Sequence, residues 1–386
     1  MRHLRSAFVL LPLLLAACGE NLPVKPDAQA APKAAAVQNP AAAVSKERYY
    51  THPGALSPKS NPWGGTSLRL GGVSLIAAAM HSDDTMAVWR IDRDRSVTEL
   101  AQVGVGYHPD HVAALQGGKV AIAVEGTNKL QIWQLDTEKA PVKLKEFNTP
   151  FPTRTVVSAD VDGDGKLDLL LAPYAGERVA VLWGKGKDVF SEPLMLQAAP
   201  TPWYPTVADW DGDGRLDILW SDWDKGSARV YLNRGKRKFE RVMLQEEGKG
   251  TPRQMAVGDV DGDGRPDGVL AMSTLPFARV LLNRPEGVVV EEIPAPSWGY
   301  DAAAVAKDGL VVLGEELRVI LARRGANGWE RRVLSAGAMP SPLMLDDVDA
   351  DGHEDLIIFH SGRGGVLIHY GPLWDNAQTL VDAPAR

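Results

Sequence analysis

One nine-residue pattern constrains this chain more than any other feature. It reads DVDGDGKLD at residues 160–168, DWDGDGRLD at 209–217, DVDGDGRPD at 259–267 and DVDADGHED at 347–355. The start-to-start distances are 49, 50 and 88 residues, the last about twice a single period. Repetition at this spacing marks a tandem architecture, in which each unit buries its apolar face against the next. One unit lacking the acidic loop is therefore expected between the third and fourth copies. Residues 302–305, the tight turn Lys307-Asp308-Gly309 and residues 310–313 supply it as strand, turn and strand.

The same punctuation extends upstream. Residues 112–115 turn at Gly117-Gly118 into 120–124, with a further strand at 130–135. Before them, 67–70 turn at Gly71-Gly72 into 73–79, followed by 85–91 and 97–103. Short apolar runs follow the acidic loops: Leu169-Leu170-Leu171, Ile218-Leu219-Trp220 and residues 356–359. The third strands share a look, RVAVLWGKG, ARVYLNRG and ARVLLNRP. No stretch of this region keeps a helical period. Four short strands per unit and seven units predict an all-β chain, a β-propeller of seven four-stranded blades. Trp89, Trp133, Trp183, Trp220 and Trp374 fall in or near strands and read as blade core. Ring closure leaves two candidates for the outer strand of the last blade: residues 378–381 or residues near Tyr49.

The acidic loops have the chemistry of a hard-cation site. In the first, Asp160, Asp162, Asp164 and Asp168 occupy positions one, three, five and nine, with the Lys166 backbone carbonyl at seven. The equivalent sets are Asp209, Asp211, Asp213, Arg215 and Asp217; Asp259, Asp261, Asp263, Arg265 and Asp267; and Asp347, Asp349, Asp351, His353 and Asp355. In the first loop Gly163 and Gly165, at positions four and six, permit the left-handed angles of a tight coil. Carboxylates about 4 Å apart repel by roughly 4 kcal/mol per pair at intermediate dielectric, so the coil calls for a cation. Calcium accepts six to eight oxygen ligands at flexible geometry, whereas magnesium keeps its waters and zinc prefers nitrogen or sulfur. A solvated acidic turn would account for one copy; four copies, each between two strands, point to up to four structural Ca2+. A strand begins directly after position nine, which excludes an EF-hand with its helix and position-twelve carboxylate.

On these residues the chain resembles the FG-GAP and VCBS repeats of bacterial surface proteins and of the integrin α-subunit propeller. The resemblance is strong over residues 153–282 and 342–370 and weak over 63–145. It implies that each loop joins the first two strands of a blade and binds calcium on the lower face. Position eight, Leu167 and Leu216 in the first two loops, is Pro266 in the third and Glu354 in the fourth, so those two sites should be looser.

The N-terminus adds a location. Arg2 and Arg5 precede an apolar stretch at residues 7–17, too short to span a bilayer, which takes roughly 20 residues. It ends in Leu15-Ala16-Ala17-Cys18-Gly19, which resembles the bacterial lipobox, and Cys18 is the one cysteine of the chain. That resemblance implies cleavage before Cys18, lipidation of its thiol and attachment to the outer membrane through the lipid alone. Residues 1–18 are thus read as a signal, 19–62 as an Ala/Pro-rich tether and 63–386 as the propeller. The formal charge of −7, with no basic stretch to offset it, argues against a nucleic-acid partner.

At the end opposite the acidic loops, the segments entering each blade are rich in aromatic residues and proline. Tyr107, His108, Trp203, Tyr204, Trp298 and Tyr300 lie there beside His111, Arg154, Arg253, Gln254 and Asp301, at positions that should ring the channel mouth. Aromatic platforms beside charged groups suit an envelope protein or polysaccharide. The chain lacks H-E-x-x-H, G-x-S-x-G and dinucleotide motifs. The leading expectation is a calcium-stabilised binding or scaffold module of the envelope. A hydrolase or lyase with its site at the mouth is the alternative, and it would require His108, His111, Arg154 and Tyr204 to converge.

Overall fold

A computed structural model describes residues 54–380, apart from 59, 199, 246, 247, 249, 297, 298, 338 and 361–363. Blade 1 holds β1 (Pro62–Leu70), β2 (Val73–Met80), β3 (Thr85–Ile91) and β4 (Val97–Gly104). Blade 2 holds β5 (Pro109–Leu115), β6 (Lys119–Val124), β7 (Lys129–Gln134) and β8 (Val142–Asn148). Blade 3 comprises β9 (Thr153–Ala159), β10 (Asp168–Pro173), β11 (Arg178–Leu182) and β12 (Leu194–Gln197). In blade 4 are β13 (Pro202–Ala208), β14 (Asp217–Asp222), β15 (Ser227–Asn233) and β16 (Phe239–Gln245). Blade 5 has β17 (Pro252–Gly258), β18 (Asp267–Met272), β19 (Phe277–Arg284) and β20 (Gly287–Pro294). Blade 6 has β21 (Ala302–Val305), β22 (Val311–Glu315), β23 (Arg318–Gly325) and β24 (Gly328–Ser335). Blade 7 has β25 (Leu343–Asp346), β26 (Asp355–His360) and β27 (Gly365–His369), followed by the helix α1 (Leu373–Asn376) and β28 (Gln378–Thr379).

Within each blade the strands run antiparallel in chain order, and the first strands of successive blades adjoin. The chain is a seven-bladed β-propeller. The reason lies in the burial of each strand. The second strands are apolar on both faces, and β10, β14, β18 and β26 are buried at every position. The outer strands alternate or are mostly exposed, as in β4 and β8. A sheet buried on both faces must be covered on both sides. Seven apolar clusters do this, one at each blade–blade interface. Trp89, Trp133, Trp183 and Trp220 lie in them, as expected. Trp374 differs: it sits half-buried on α1, under the guanidiniums of Arg323 and Arg332.

The ring closes between blades 7 and 1. Ile76, Ala78, Met80 and Trp89 pack on Ile357, Phe359 and Val366. The backbone of Leu56 bridges Val366 in both directions, at 2.6 and 3.0 Å, on the free edge of β27. The ring thus takes in a residue from the stretch read as tether. Gln378–Thr379 does not complete blade 7: it pairs with Arg332 and Val333 of β24, as a fifth strand on blade 6. Tyr49 lies outside the described residues.

Candidate functional sites at the two ends of the ring

Each acidic loop joins the first and second strands of its blade, in blades 3, 4, 5 and 7. The coil is set by its own carboxylates. Position one accepts the N–H groups of positions five and six: Asp160 from Asp164 and Gly165 at 3.0 and 2.8 Å, Asp209 from Asp213 and Gly214 at 2.9 Å each. Asp259 and Asp347 repeat this with Asp263 and Gly264 and with Asp351 and Gly352. Position five accepts the N–H of position seven, from Lys166, Arg215, Arg265 and His353. The glycines have φ of 73° and 81° at Gly163 and Gly165, and the fourth copy places Ala350 at φ 63° in the same role.

Position nine works as a clamp. Both oxygens of Asp168 accept backbone N–H, from Val161 at 2.9 Å and from Gly184 at 2.7 Å. Asp217 holds Trp210 and Asn233, Asp267 holds Val260 and Asn283, and Asp355 holds Val348 and Gly371. Each therefore ties its loop to the turn after the third strand. Burial pushes all four carboxyls up, those of Asp168 and Asp355 to about 6.

Three carboxylates per loop bring one oxygen each within 4.8 Å of the others: Asp160, Asp162 and Asp168; Asp209, Asp211 and Asp217; Asp259, Asp261 and Asp263; Asp347, Asp349 and Asp351. An all-oxygen donor set fits a hard cation. One observation adds to the fit: Oδ1 of Asp261 is buried with no hydrogen-bond partner. These clusters can hold metal ions.

Arginines on the loops were not foreseen. Every position-three carboxylate takes one: Asp162 from Arg237 at 2.7 and 2.9 Å, Asp211 from Arg234 at 2.6 Å, Asp261 from Arg284, and Asp349 from Arg95 at 2.7 Å. Arg237 reaches from blade 4 to blade 3, and Arg95 from blade 1 to blade 7. The coil is thus not held against its own repulsion by a divalent ion alone. Asparagines link blades as well. Asn233 donates to Val161 O at 2.7 Å and Asn283 to Trp210 O at 2.6 Å, each entering the loop of the preceding blade. The shared NR pair of YLNRG and LLNRP was the signal for both residue types.

The opposite end is built from β-bulges. Register shifts single out Trp63 in β1, Asp110 in β5, Arg154 in β9, Tyr204-Pro205 in β13 and Arg253-Gln254 in β17, all at the start of a first strand. A bulge re-aims its side chain, and here several turn toward one another. Arg154 lies over the rings of Trp203, Trp63 and Tyr174 at 4.0, 4.9 and 5.0 Å. Trp63 stacks on His81 at 3.9 Å, His81 neighbours His108 at 4.3 Å, and His108 stacks on Tyr107 at 3.7 Å. On the far side Trp203 meets Trp223 at 4.7 Å, with Arg253 over Trp223 at 4.4 Å and paired to Asp301 at 3.1 Å. Tyr204 donates to Trp63 O at 3.0 Å, joining blades 4 and 1 across the channel. Gln254 accepts from Ala303 N at 3.4 Å.

One expected member is placed elsewhere. Tyr300 is fully buried between blades 5 and 6, its hydroxyl donating to Pro294 O at 2.8 Å, because its ring fills the core cluster there. Trp298 lies outside the described residues. His111 and Tyr204 meet edge to face at 5.5 Å, but their polar atoms go to backbone carbonyls, His111 to Val156 O at 2.9 Å. Burial drops the His111 imidazole to about 4 and lifts the Tyr204 phenol to about 12. The titratable group that does form is a different one. His81 Nδ1 lies 2.9 Å from buried Asp110, and the Glu125 carboxyl is adjacent to that of Asp110. Burial pushes Asp110 up to about 6 and, with the adjacent Asp110 carboxyl, Glu125 up to about 8.

Known proteins agree with this geometry. The FG-GAP-like repeat family model matches residues 160–220 and 211–270. The chain is a β-propeller carrying FG-GAP-like repeats. No curated protein matches it. Among solved structures it is similar to a streptogramin B lyase (TM-score 0.56, 15% identity, 81% of this chain and 95% of that one). Virginiamycin B lyase from Staphylococcus aureus aligns at TM-score 0.56 and 12% identity, over 80% of this chain and 95% of that one. The WD40 β-propeller domain of Doa1 aligns at 0.57 and 12%, over 83% and 95%. At such identities the likeness is one of fold, and the fold serves both lyases and a WD40 domain.

Proposed function

We propose that the chain is a calcium-stabilised propeller, anchored to the outer membrane of the bacterial envelope through a lipid on Cys18. It acts as a binding or scaffold module for an envelope protein or polysaccharide. In each loop the aspartates at positions one, three, five and nine, with the position-seven carbonyl, would hold Ca2+, which supplies rigidity and no chemistry. The observation that carries the binding reading is the ribbon of stacked rings and guanidiniums across blades 1–5, at the end away from the acidic loops. Trp, Tyr and Arg in this density are the residues that dominate recognition surfaces. The test is capture of envelope proteins and glycans on the immobilised ring, with Trp203→Ala and Tyr107→Ala rings as controls. A ligand retained equally by all three rings would remove the upper face from the proposal. Labelling with a fatty-acid analogue, lost in Cys18→Ser, checks the anchor.

A second reading, a hydrolase or lyase at the mouth, is supported by the His81–Asp110–Glu125 group, since perturbed carboxyls beside an imidazole are what general acid–base work uses. It requires turnover that Glu125→Gln abolishes. A ligand released unchanged after prolonged incubation sinks it.

A further inference from the structure

We propose that Arg154 is the receptor for a carboxylate on an acidic polysaccharide, an inference that rests on the upper face being the binding face. Three rings hold its guanidinium, and no described residue supplies it with a hydrogen-bond acceptor or an ion-pair partner. That is unusual company for a half-buried arginine. Its neighbour Arg253 is paired with Asp301, and Arg95, Arg234, Arg237 and Arg284 sit on the carboxylates of the acidic loops. Three rings around a guanidinium give its N–H groups no acceptor, and a pair of those N–H groups matches the two oxygens of a carboxylate. The bulge at Arg154 is the local reason the side chain leaves the blade and enters the mouth.

The surroundings favour a sugar acid over an acidic peptide. The exposed large side chains next to Arg154 and on the adjoining blade 2 are phenols, Tyr174 at 50% and Tyr107 at 57% exposure. Flat rings with a polar tip suit the C–H face and hydroxyls of a pyranose, whereas peptide side chains look for aliphatic pockets. One of the two carboxyls in range does not oppose an anion at neutral pH: burial and the adjacent Asp110 push Glu125 up to about 8, so it stays protonated.

The experiment is calorimetric titration of the wild-type ring with polygalacturonate, neutral dextran, dextran sulfate and poly-glutamate. Polygalacturonate should bind and dextran should not, with sulfate and peptide at least tenfold weaker. Arg154→Gln should lose at least tenfold in affinity, and Arg154→Lys nearly as much, because a point charge cannot make the paired contact. Tyr174→Ala, an exposed change, gives a folded ring whose affinity should fall severalfold even if the Arg154 variants misfold. Equal binding by Arg154→Gln, or by dextran or poly-glutamate, overturns the carboxylate receptor while leaving a binding module in place. No binding of any polymer overturns it too, and capture from the envelope then decides the broader reading.

Discussion

At the lower end of the ring, four nearly identical loops gather aspartates on a single scheme, answered by backbone N–H groups and at least one arginine each. At the upper end the blades mix Trp, Tyr, His and Arg without a common scheme, and the charges are answered by rings or by each other, Arg154 by three rings. The lower scheme repeats because its task is local: each loop coils, clamps its own hairpin and touches one neighbour. The upper one cannot repeat, because its contacts cross the channel from blade 4 to blade 1 and from blade 3 to blade 1. Repetition marks the part that builds the ring, and its absence marks the part that meets something else.

If that contrast is right, metal should govern the lower end alone. A calcium site of about 0.1 mM dissociation constant contributes about 1.4 kcal/mol at millimolar calcium, so four contribute about 6 kcal/mol. Chelator should lower the melting temperature of the ring by about 10 °C and calcium should restore it. The near-ultraviolet signal of the upper tryptophans should stay as it was below the transition. An unchanged melting temperature would break the comparison at its root.

Removing two loops should have about half that effect. Asp162→Ala with Asp211→Ala is expected to cost two ions and about 3 kcal/mol, with strand content retained. Ion stoichiometry measured by mass spectrometry and thermal melting read this together. Full stoichiometry in the double variant would show that position three is not a ligand.

The blade-to-blade latch comes next. Asn233 is buried, donates to Val161 O and Leu216 O and accepts from Gly235 N at 3.0 Å. Asn233→Ala leaves those groups unpaired and should cost about 2 kcal/mol, with or without calcium. A cost that vanishes in chelator would mean that the latch serves the metal rather than the ring.

The upper end should answer to protons instead. The Glu125 carboxyl titrates near 4.5 when unfolded and is pushed up to about 8 in the fold. Between those values the folded state holds the proton more tightly, so this group's contribution to stability falls as pH rises from about 5 to 8. Asp110, pushed up to about 6, acts in the same direction. At saturating calcium, Glu125→Gln should flatten the decline of melting temperature across that window. Parallel profiles for the two proteins would place the proton elsewhere.

The lower end was legible because its spacing carries the chemistry: DxDxDGxxD fixes both the coil and the strand that follows. The propeller was legible for the same reason, since Leu169-Leu170-Leu171 and its counterparts can only be strands covered on both sides. What the spacing does not carry was lost. Arg95 lies more than 250 residues from Asp349, and only ring closure makes them neighbours. Residues 378–381 were one of two candidates for the edge of blade 7, yet α1 carries the chain past it to blade 6. At the mouth, Tyr107, Arg154 and Trp203 stood out by composition, whereas His81, Asp110 and Glu125 come from a turn, a bulge and another turn that no linear pattern joins. Tyr300 misled because an aromatic residue entering a blade can equally fill the core.

The smallest effect tests the repeat itself. Three loops have glycine at position four, with φ of 73°, 74° and 78° at Gly163, Gly212 and Gly262, and the fourth has Ala350 at 63°. A left-handed alanine costs about 1 kcal/mol, while glycine there loses about 0.5 kcal/mol through extra freedom of the unfolded chain. Ala350→Gly should therefore stabilise the ring by about 0.5 kcal/mol, a shift of one or two degrees. The location makes the gain informative. Blade 1 fastens onto this loop through Ser67 to Asp346 at 2.5 Å, Arg69 to Asp347 O at 2.5 Å and Arg95 to Asp349 and Asp351 at 2.7 and 3.1 Å. If the seam needs the bend that alanine imposes, the glycine variant will melt lower than the wild type. The fourth loop would then be a fastener first and a copy of the other three second.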